Sequence, residues 1–168
     1  MKQAVIDIGS NSIRLTLYET EQQRFKILFR EKIMAGLTGY VENGTLSAEG
    51  IECACTGLLT FRGILQTLEI DSVRVFATAS LRNVSNTQQA LSVILAATGY
   101  TVEINSGEEE ALLGYTGAMQ ELHMTSGAFL DIGGASTEIV TFDSGTPVDF
   151  ASFPIGSLSL YRRCVKKI

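Results

Sequence analysis

The chain has 168 residues, of which 45% are hydrophobic, and its 18 acidic and 13 basic side chains give a formal net charge of −5. This length is about that of one ordinary domain. The negative charge argues against nucleic acid or an anionic membrane as a partner, because both attract concentrated positive charge. A phosphate ligand is still compatible with it, because backbone N–H groups and one or two arginines can bind phosphate locally.

The N-terminus and the cysteines bear on location. Asp7 breaks the first apolar run, which is therefore not typical of a secretory signal, and no stretch reaches the ~18 to 20 apolar residues of a membrane span. Cys53, Cys55 and Cys164 are an odd number, as in cytoplasmic proteins with reduced thiols. The Cys53/Cys55 spacing and the single histidine, His123, argue against a zinc site. We therefore expect a cytoplasmic protein that is not attached to a membrane.

The first third of the chain predicts an antiparallel meander. The polar segment Glu19 to Arg24 reads as the turn between the last two strands. The following stretch, 36–46, reads as a loop in which Asn43-Gly44 forms a turn. Strands are predicted over residues 3–8, 12–19 and 25–34.

Helical periodicity begins after this loop. Ser47 fits a helix N-cap, and apolar residues recur behind it every three or four positions as far as Leu68. Asn86 and Gln89 have the spacing of a capping box for a second helix, which ends near Thr98-Gly99. Short strands are predicted over residues 72–77 and 101–104.

The segment SGEEEALLGYTGAM predicts a third helix. Ser106 and Glu109 fit a capping box, and three glutamates in the first turn suit the positive end of the helix dipole. The element order is β-β-β-α-β-α-β-α, which is an α/β fold. Since two connections are helical crossovers, the later strands join in parallel and the sheet is mixed.

The beginning of the chain then repeats. AVIDIGSNSIRL at 4–15 aligns with AFLDIGGASTEI at 128–139 without a gap, at a constant offset of 124 residues. Strands are predicted again at 137–143 and 147–153, with a turn at Asp143-Ser144-Gly145 between them. We therefore expect a first domain over residues 1–125, followed over 126–168 by the first strands of a second, similar domain that is truncated.

Each repeat places an aspartate at a strand end and small residues in the turn that follows. Small residues let backbone N–H groups approach an anion, and such concave turns bind phosphate. Aspartates can hold a divalent cation, often through water, as magnesium prefers. The alternative is two polar hairpin turns without a ligand, and the repetition favours function.

Four segments in order, DIGSNSIRL, ATASLRNVSN, SGEEEA and DIGGASTEI, span nearly the whole chain. Together they resemble the exopolyphosphatase/guanosine pentaphosphate phosphohydrolase (Ppx/GppA) family, which belongs to the superfamily of actin, sugar kinases and heat-shock chaperone ATPases. The aspartate–glycine loops alone would indicate only the superfamily. The resemblance implies an actin-like (ribonuclease H-like) mixed sheet in each domain.

The resemblance also implies roles for single residues. Glu110 matches the second glutamate of the family's E-E-A and would be the general base that activates water. Local chemistry agrees, because the capping box occupies Glu109 and leaves Glu110 to face the cleft. Without the resemblance, a surface acid that stabilises the helix dipole would be the simpler reading of Glu110.

By the same resemblance, Asp131 and Glu138 would hold magnesium or manganese, and Asp7 would assist them. Arg14 lies where a phosphate contact is plausible. Arg82 either contacts phosphate or pairs with a carboxylate. The residues that would surround the phosphates are Ser10, Asn11, Ser12, Gly133, Gly134 and Ser136.

One position departs from the family's pattern. The family usually has three glycines where this chain has Gly133-Gly134-Ala135. If the third position requires φ > 0, alanine is strained there. The equivalent residue of the first loop, Asn11, is also not glycine, so we expect modestly altered phosphate binding rather than its loss.

The implied activity is metal-dependent hydrolysis of a terminal phosphoanhydride in inorganic polyphosphate or guanosine pentaphosphate. A second hypothesis is an ATP-dependent kinase or ATPase of the same superfamily, which an assay for ADP would distinguish. A third is a fragment that binds phosphate or nucleotide without turnover, or pairs with another chain. The sequence does not choose between the two phosphohydrolase substrates.

The truncation predicts two further properties. The isolated chain should be a poor enzyme, because only one domain is complete and catalytic groups need fixed relative positions. The strands over 128–155 should form an uncovered sheet with an open edge, which predicts a homodimer. The apolar residues expected on its faces are Phe129, Leu130, Ile132, Ile139, Val140 and Phe142.

Overall fold

A computed structural model describes residues 1–21 and 24–165. The chain divides into two compact units, Met1–Ile104 and Asn105–Ile168. The second unit includes a helix that begins at Gly107, whereas the sequence repeat places the start of a second domain near residue 126. The domain limits at 125 and 126 therefore stay a prediction.

A mixed five-stranded sheet forms the centre of the first unit and confirms the predicted fold class. Its strands are β1 (Lys2–Ile8), β2 (Ile13–Glu21), β3 (Arg24–Ile33), β6 (Val73–Ala77) and β7 (Val102–Ile104). Their order in the sheet is β3-β2-β1-β6-β7, with antiparallel pairing among β1, β2 and β3 and parallel pairing among β1, β6 and β7. Part of the turn predicted from Glu19 to Arg24 is strand, and Gln22 and Gln23 lie outside the described residues.

The stretch 36–46 is more regular than the predicted loop. It contains a 3₁₀ helix (Leu37–Tyr40) and a small hairpin of β4 (Val41–Glu42) and β5 (Thr45–Leu46). The predicted turn between these strands is confirmed: Asn43 and Gly44 have φ of 50° and 75°, the left-handed conformations that two-residue hairpin turns use.

Three helices complete the first unit: α1 (Ala48–Thr67), α2 (Ala79–Arg82) and α3 (Thr87–Thr98). Ser47 caps α1 as predicted, because its side chain accepts a 3.2 Å hydrogen bond from the Gly50 N–H. The core lies between α1, α3 and one face of the sheet. Its largest fully buried members include Ile6, Ile8, Ile13, Leu15, Phe61 and Ile94.

The capping box predicted at Asn86 and Gln89 is wrong. Asn86 precedes α3, but its side chain makes no cap hydrogen bond. It forms two hydrogen bonds to the backbone of Leu46 instead, accepting from N–H at 3.0 Å and donating to the carbonyl at 2.9 Å. The start of α3 is thus tied to the small hairpin, because an amide side chain can replace both partners of a strand pair.

The second unit is an antiparallel sheet with a helix packed on one face. Its strands are β8 (Gly127–Ile132), β9 (Thr137–Asp143) and β10 (Thr146–Phe153), in the order β10-β9-β8, and its helices are α4 (Gly107–Met119) and α5 (Ser157–Cys164). The three strands agree with the predicted second meander. Among the described residues, no helix is both long and apolar enough to span a membrane.

The expectation that this sheet is uncovered is wrong for one face. Ala111 and Tyr115 of α4 pack with Val140 and Phe142 of β9, and with the partly buried Phe129 of β8. The alternation of strand side chains explains this division, since neighbouring residues point to opposite faces. Of the apolar residues named from the sequence, Leu130 and Ile132 are on the other face and are 57% and 66% exposed.

Candidate functional site

The two repeated loops have the same backbone closure. The Gly9 N–H donates to the Ser12 carbonyl at 3.0 Å, and the Gly133 N–H donates to the Ser136 carbonyl at 2.9 Å. A Cβ atom on Gly9 would lie 3.0 Å from the Ser12 carbonyl oxygen, and one on Gly133 would lie 3.2 Å from the Ser136 carbonyl oxygen. The repeat seen in the sequence is therefore also a repeat of backbone geometry. In both loops the lack of a side chain on the glycine allows the serine carbonyl to approach closely.

The first loop is held by a segment that the sequence analysis did not single out. Both the Thr38 N–H and its hydroxyl donate to the Ser10 carbonyl, at 3.0 and 3.1 Å, and the Gly36 N–H donates to the Asn11 carbonyl at 2.9 Å. Because the loop's carbonyls are engaged in this way, an anion at the loop would meet N–H and hydroxyl donors. Thr38 is 28 residues from Ser10, and no local pattern indicates this contact.

The second loop is held by the beginning of α5. The N–H groups of Ser157 and Leu158 donate to the carbonyls of Gly133 and Gly134, both at 2.9 Å. Gly156 allows this approach, since a Cβ there would lie 2.5 Å from the Gly134 carbonyl carbon. Like Thr38 for the first loop, Gly156 and Ser157 are supporting residues that only the structure reveals.

Ala135 is not strained. The residues with positive φ in the described part of the chain do not include Ala135, nor its counterpart Asn11. An alanine is therefore accommodated in the ordinary backbone region. We expected altered phosphate binding because of backbone strain at this position, and that strain is absent.

A polar row crosses the second sheet beside the loop. In the strand register Asp131 lies opposite Glu138, and Glu138 lies opposite Ser152. Glu138 is only 2% exposed, and its Oε1 accepts a 2.7 Å hydrogen bond from the Ser152 hydroxyl. Asp131 is exposed. The row thus combines a buried, hydrogen-bonded carboxylate with one that solvent and ligands can reach.

Helix α4 runs along this row. A Cβ atom on Gly107 would lie 2.4 Å from Ser152 Cβ, and one on Gly114 would lie 3.9 Å from Asp131 Oδ2. Glu110 is three residues after Gly107 and four before Gly114, so it lies on the same side of the helix. It is half-buried. The side of α4 that carries Glu110 is therefore the side that faces the row.

The predicted capping box of α4 is confirmed. The Ser106 hydroxyl accepts from the Glu109 N–H at 3.1 Å, and the Glu109 carboxylate accepts from the Ser106 N–H at 2.8 Å. Two neighbouring glutamates therefore have different surroundings, because Glu109 is exposed and occupied by the cap while Glu110 faces the sheet. Away from this site, burial raises the pKa of the Cys55 thiol.

The remaining predicted residues lie in the first unit. Asp7 is at the end of β1, opposite Arg14 of β2, and Arg14 Nε donates to the Ser12 hydroxyl at 3.3 Å. Arg82 ends the short helix α2, which the buried Ser80 anchors by donating its hydroxyl hydrogen to the Ile8 carbonyl at the end of β1. Whether Arg82 binds phosphate stays a prediction.

The donor chemistry of the row fits a hydrated hard cation. Within residues 1–21 and 24–165, no three histidine, cysteine, aspartate or glutamate side chains lie close enough together to form a metal-binding set. Two carboxylates on adjacent strands, Asp131 and Glu138, are nonetheless a donor set that magnesium uses when water and substrate phosphates complete its coordination. They could hold magnesium or manganese, and their oxygen-only chemistry suits these ions better than zinc.

Comparison with known proteins identifies the family. Residues 16–168 match the family model described as the Ppx/GppA phosphatase family. A curated relative, the guanosine-5'-triphosphate,3'-diphosphate pyrophosphatase of Pseudoalteromonas atlantica, is 33% identical over 162 residues, which are 95% of this chain and 32% of the relative.

Solved structures agree. An exopolyphosphatase of Cytophaga hutchinsonii superimposes with a TM-score of 0.89 at 29% identity, covering 97% of this chain and 53% of that one. The Aquifex aeolicus member of the Ppx/GppA family gives a TM-score of 0.81 at 27% identity, covering 99% of this chain and 55% of that one. The chain thus spans about half the length of these solved relatives.

A more distant protein shares the fold. The ethanolamine utilization protein EutJ of Carboxydothermus hydrogenoformans has a TM-score of 0.53 at 15% identity, which is a likeness of fold alone. The architecture is that of the actin-like ATPases, as the sequence resemblance implied. With the family match over most of its length and the 33% identical relative, the chain belongs to the Ppx/GppA phosphatase family.

Proposed function

We propose that the chain carries the general base and phosphate-binding loops of a metal-dependent phosphohydrolase. Its reaction is hydrolysis of a terminal phosphoanhydride in inorganic polyphosphate or guanosine pentaphosphate. Family membership supports the reaction class. We also place the protein in the cytoplasm, consistent with its free cysteines.

The observation that carries the proposal lies within the second unit. Glu110 is on the side of α4 that faces Asp131 and Glu138, and the loop that begins at Gly133 directly follows the strand of Asp131. A base, a pair of oxygen donors and a glycine loop are thus brought together by one small sheet and one helix. These are the groups that transfer of a phosphoryl group to water requires.

Each group has a separate task in this proposal. Glu110 accepts the proton of the attacking water. The N–H groups of Gly134 and Ala135 and the Ser136 hydroxyl stabilise charge on the phosphoryl oxygens, since their loop is already fixed by α5. Asp131 and Glu138 would hold magnesium, which supplies charge neutralisation at the phosphates. In the first unit, the loop of Ser10, Asn11 and Ser12, together with Arg14, is a second phosphate-binding element.

The test is phosphate release under single-turnover conditions, with protein in excess so that slow turnover is visible. Polyphosphate and guanosine pentaphosphate are the two substrates, and ADP formation from ATP is measured in parallel. Glu110→Gln keeps the size of the side chain but removes its basicity, and we expect the rate to fall by roughly 10² to 10⁴. Glu109→Gln is the matched control.

Three results would contradict the proposal. Equal rates for Glu110→Gln and Glu109→Gln would remove Glu110 as the base. We expect EDTA to abolish phosphate release and added magnesium to restore it, so a full rate in EDTA would remove the metal from the mechanism. Turnover of ATP with no release from polyphosphate or guanosine pentaphosphate would favour a kinase or ATPase instead.

A further inference from the structure

One face of the first unit's sheet carries a cluster of cations near the first loop. Arg14 of β2 lies opposite Lys32 of β3, and two residues further along the strands Thr16 lies opposite Arg30. Ile13, Leu15 and Leu17 alternate with these residues and are buried in the core. Arg14, Arg30 and Lys32 therefore share the face that points away from the core, and all three are exposed. We call them the basic triad.

The basic triad is an unusual feature in this chain. The whole protein has a net charge of −5, yet here two cations face each other across a strand pair. Like charges directly opposite each other are destabilising, because their Cβ atoms are only about 4.5–5.5 Å apart. In the described part of the chain, the ion pair between strands of this sheet joins Arg74 and Glu103, and it includes no triad member.

The triad directly continues the first loop. Strand β2 begins at Ile13, immediately after Ser12, and Arg14 Nε donates to the Ser12 hydroxyl at 3.3 Å. On its other side Arg14 has Asp7 as its register neighbour on β1. This carboxylate lies towards the centre of the sheet, whereas Lys32 and Arg30 lie on the edge strand β3. The positive charge thus extends from the loop towards the sheet edge.

We propose that the basic triad is a second anion subsite, which binds phosphates beyond the one held by the first loop. The inference rests on the proposed function and adds to it the surface that would contact the further phosphates of the ligand. The triad's geometry suits a linear polyanion better than a single phosphate. Arg14 and Lys32 are neighbours across the strands, and Arg30 lies diagonally about 7–8 Å from Arg14, so successive charges along a ligand meet successive cations.

The test is binding of defined anions in EDTA, which separates binding from turnover. The probes are long-chain polyphosphate, guanosine pentaphosphate and inorganic phosphate, and the affinity of each is measured at two salt concentrations. The test variant is Arg30→Gln/Lys32→Gln. The matched control is Arg24→Gln/Lys26→Gln on the same strand, whose two cations lie opposite Glu21 and Glu19 and are thus already near acids. Both variants remove two exposed charges, and circular dichroism checks folding.

We expect the test variant to bind long-chain polyphosphate or guanosine pentaphosphate about tenfold more weakly at low salt, with a shallower salt dependence. Binding of inorganic phosphate by the test variant, and binding of all three probes by the control variant, should change less than about twofold. Weaker binding of polyphosphate alone supports a subsite for successive phosphates of the polyphosphate. Weaker binding of guanosine pentaphosphate alone supports a subsite for the additional diphosphate of that nucleotide.

Other outcomes overturn the inference. Unchanged binding by the test variant, or equal weakening by both variants, would show that the triad is not a subsite, while the proposed function stands. Tighter binding of single-stranded RNA than of polyphosphate of equal charge would assign the triad to another ligand. No binding of any phosphate probe by the unmodified chain would overturn the inference and the proposed function together.

Discussion

The hydroxyl of Ser152 donates a 2.7 Å hydrogen bond to Oε1 of Glu138, a carboxylate that is 2% exposed. A hydrogen bond to a buried carboxylate contributes more to stability than one at an exposed site, and removing its donor leaves the buried acceptor unsatisfied. We expect Ser152→Ala to lower the free energy of unfolding by about 1–3 kcal/mol, measured by urea denaturation.

The second unit offers a matched control for this prediction. Ser126 makes a similar 2.6 Å hydrogen bond to Asp143 Oδ1, but at an exposed site. Ser126→Ala should therefore change stability by no more than about 0.5 kcal/mol. If the two substitutions cost the same, burial of Glu138 does not set the strength of its hydrogen bond.

Two glycines of α4 should respond oppositely to alanine. A Cβ at Gly107 would lie 2.4 Å from Ser152 Cβ, whereas nothing lies within 4 Å of one at Gly117. Gly107→Ala should destabilise the protein by about 1–3 kcal/mol, because the helix start must move away from β10. Gly117→Ala should stabilise it by about 0.5–1 kcal/mol through helix propensity. Thermal unfolding of both variants tests this, and a stable Gly107→Ala protein would contradict the close approach.

Restoring the family's third glycine should not improve phosphate binding. Ala135 has no left-handed backbone to relieve. Ala135→Gly should instead cost about 0.4–1 kcal/mol of stability, because glycine gives the unfolded chain more freedom. Isothermal titration with pyrophosphate should give the same affinity for both proteins within about twofold. A clear gain in affinity would show that the position is strained after all.

Self-association should depend on the outer face of the second sheet. Leu130 and Ile132 of the edge strand β8 are 57% and 66% exposed, and Phe153 of β10 is 45% exposed. We propose that a second copy covers this face to form a homodimer, because exposed apolar strands at a sheet edge favour pairing. Leu130→Thr/Ile132→Thr should shift the sedimentation coefficient towards that of a monomer.

The inner face supplies the comparison. Val140→Thr lies under α4, so it should lower stability with no direct effect on association. A dimer that survives the Leu130→Thr/Ile132→Thr change, or a monomeric unmodified chain, would contradict this assignment.

Local signals predicted local structure well. The turn at Asn43-Gly44 depends on two adjacent residues, and the capping box at Ser106 and Glu109 depends on residues three positions apart. The structure confirms both. The same kind of signal failed at Asn86, because its partner Leu46 is 40 residues away. Propensity gives no information on a competing contact at that distance.

The contacts that support the site could not be predicted from the sequence for the same reason. The repeat located both loops, but Thr38, Gly156 and Ser157 come from other segments and carry no pattern of their own. Strand geometry divides the residues of β8 and β9 between two faces of the sheet. Which face a helix covers became clear only from the packing of Tyr115 on Phe142.

The attachment of α5 to the second loop fixes the length of one connection. The Ser157 and Leu158 N–H groups reach the carbonyls of Gly133 and Gly134 only if the segment from Phe153 to Gly156 keeps its span. Residues inserted there would lengthen an exposed surface turn, where proteins usually tolerate insertion. Here the added length would release the loop from the helix, so this turn is a poor place for tags, labels or circular permutation.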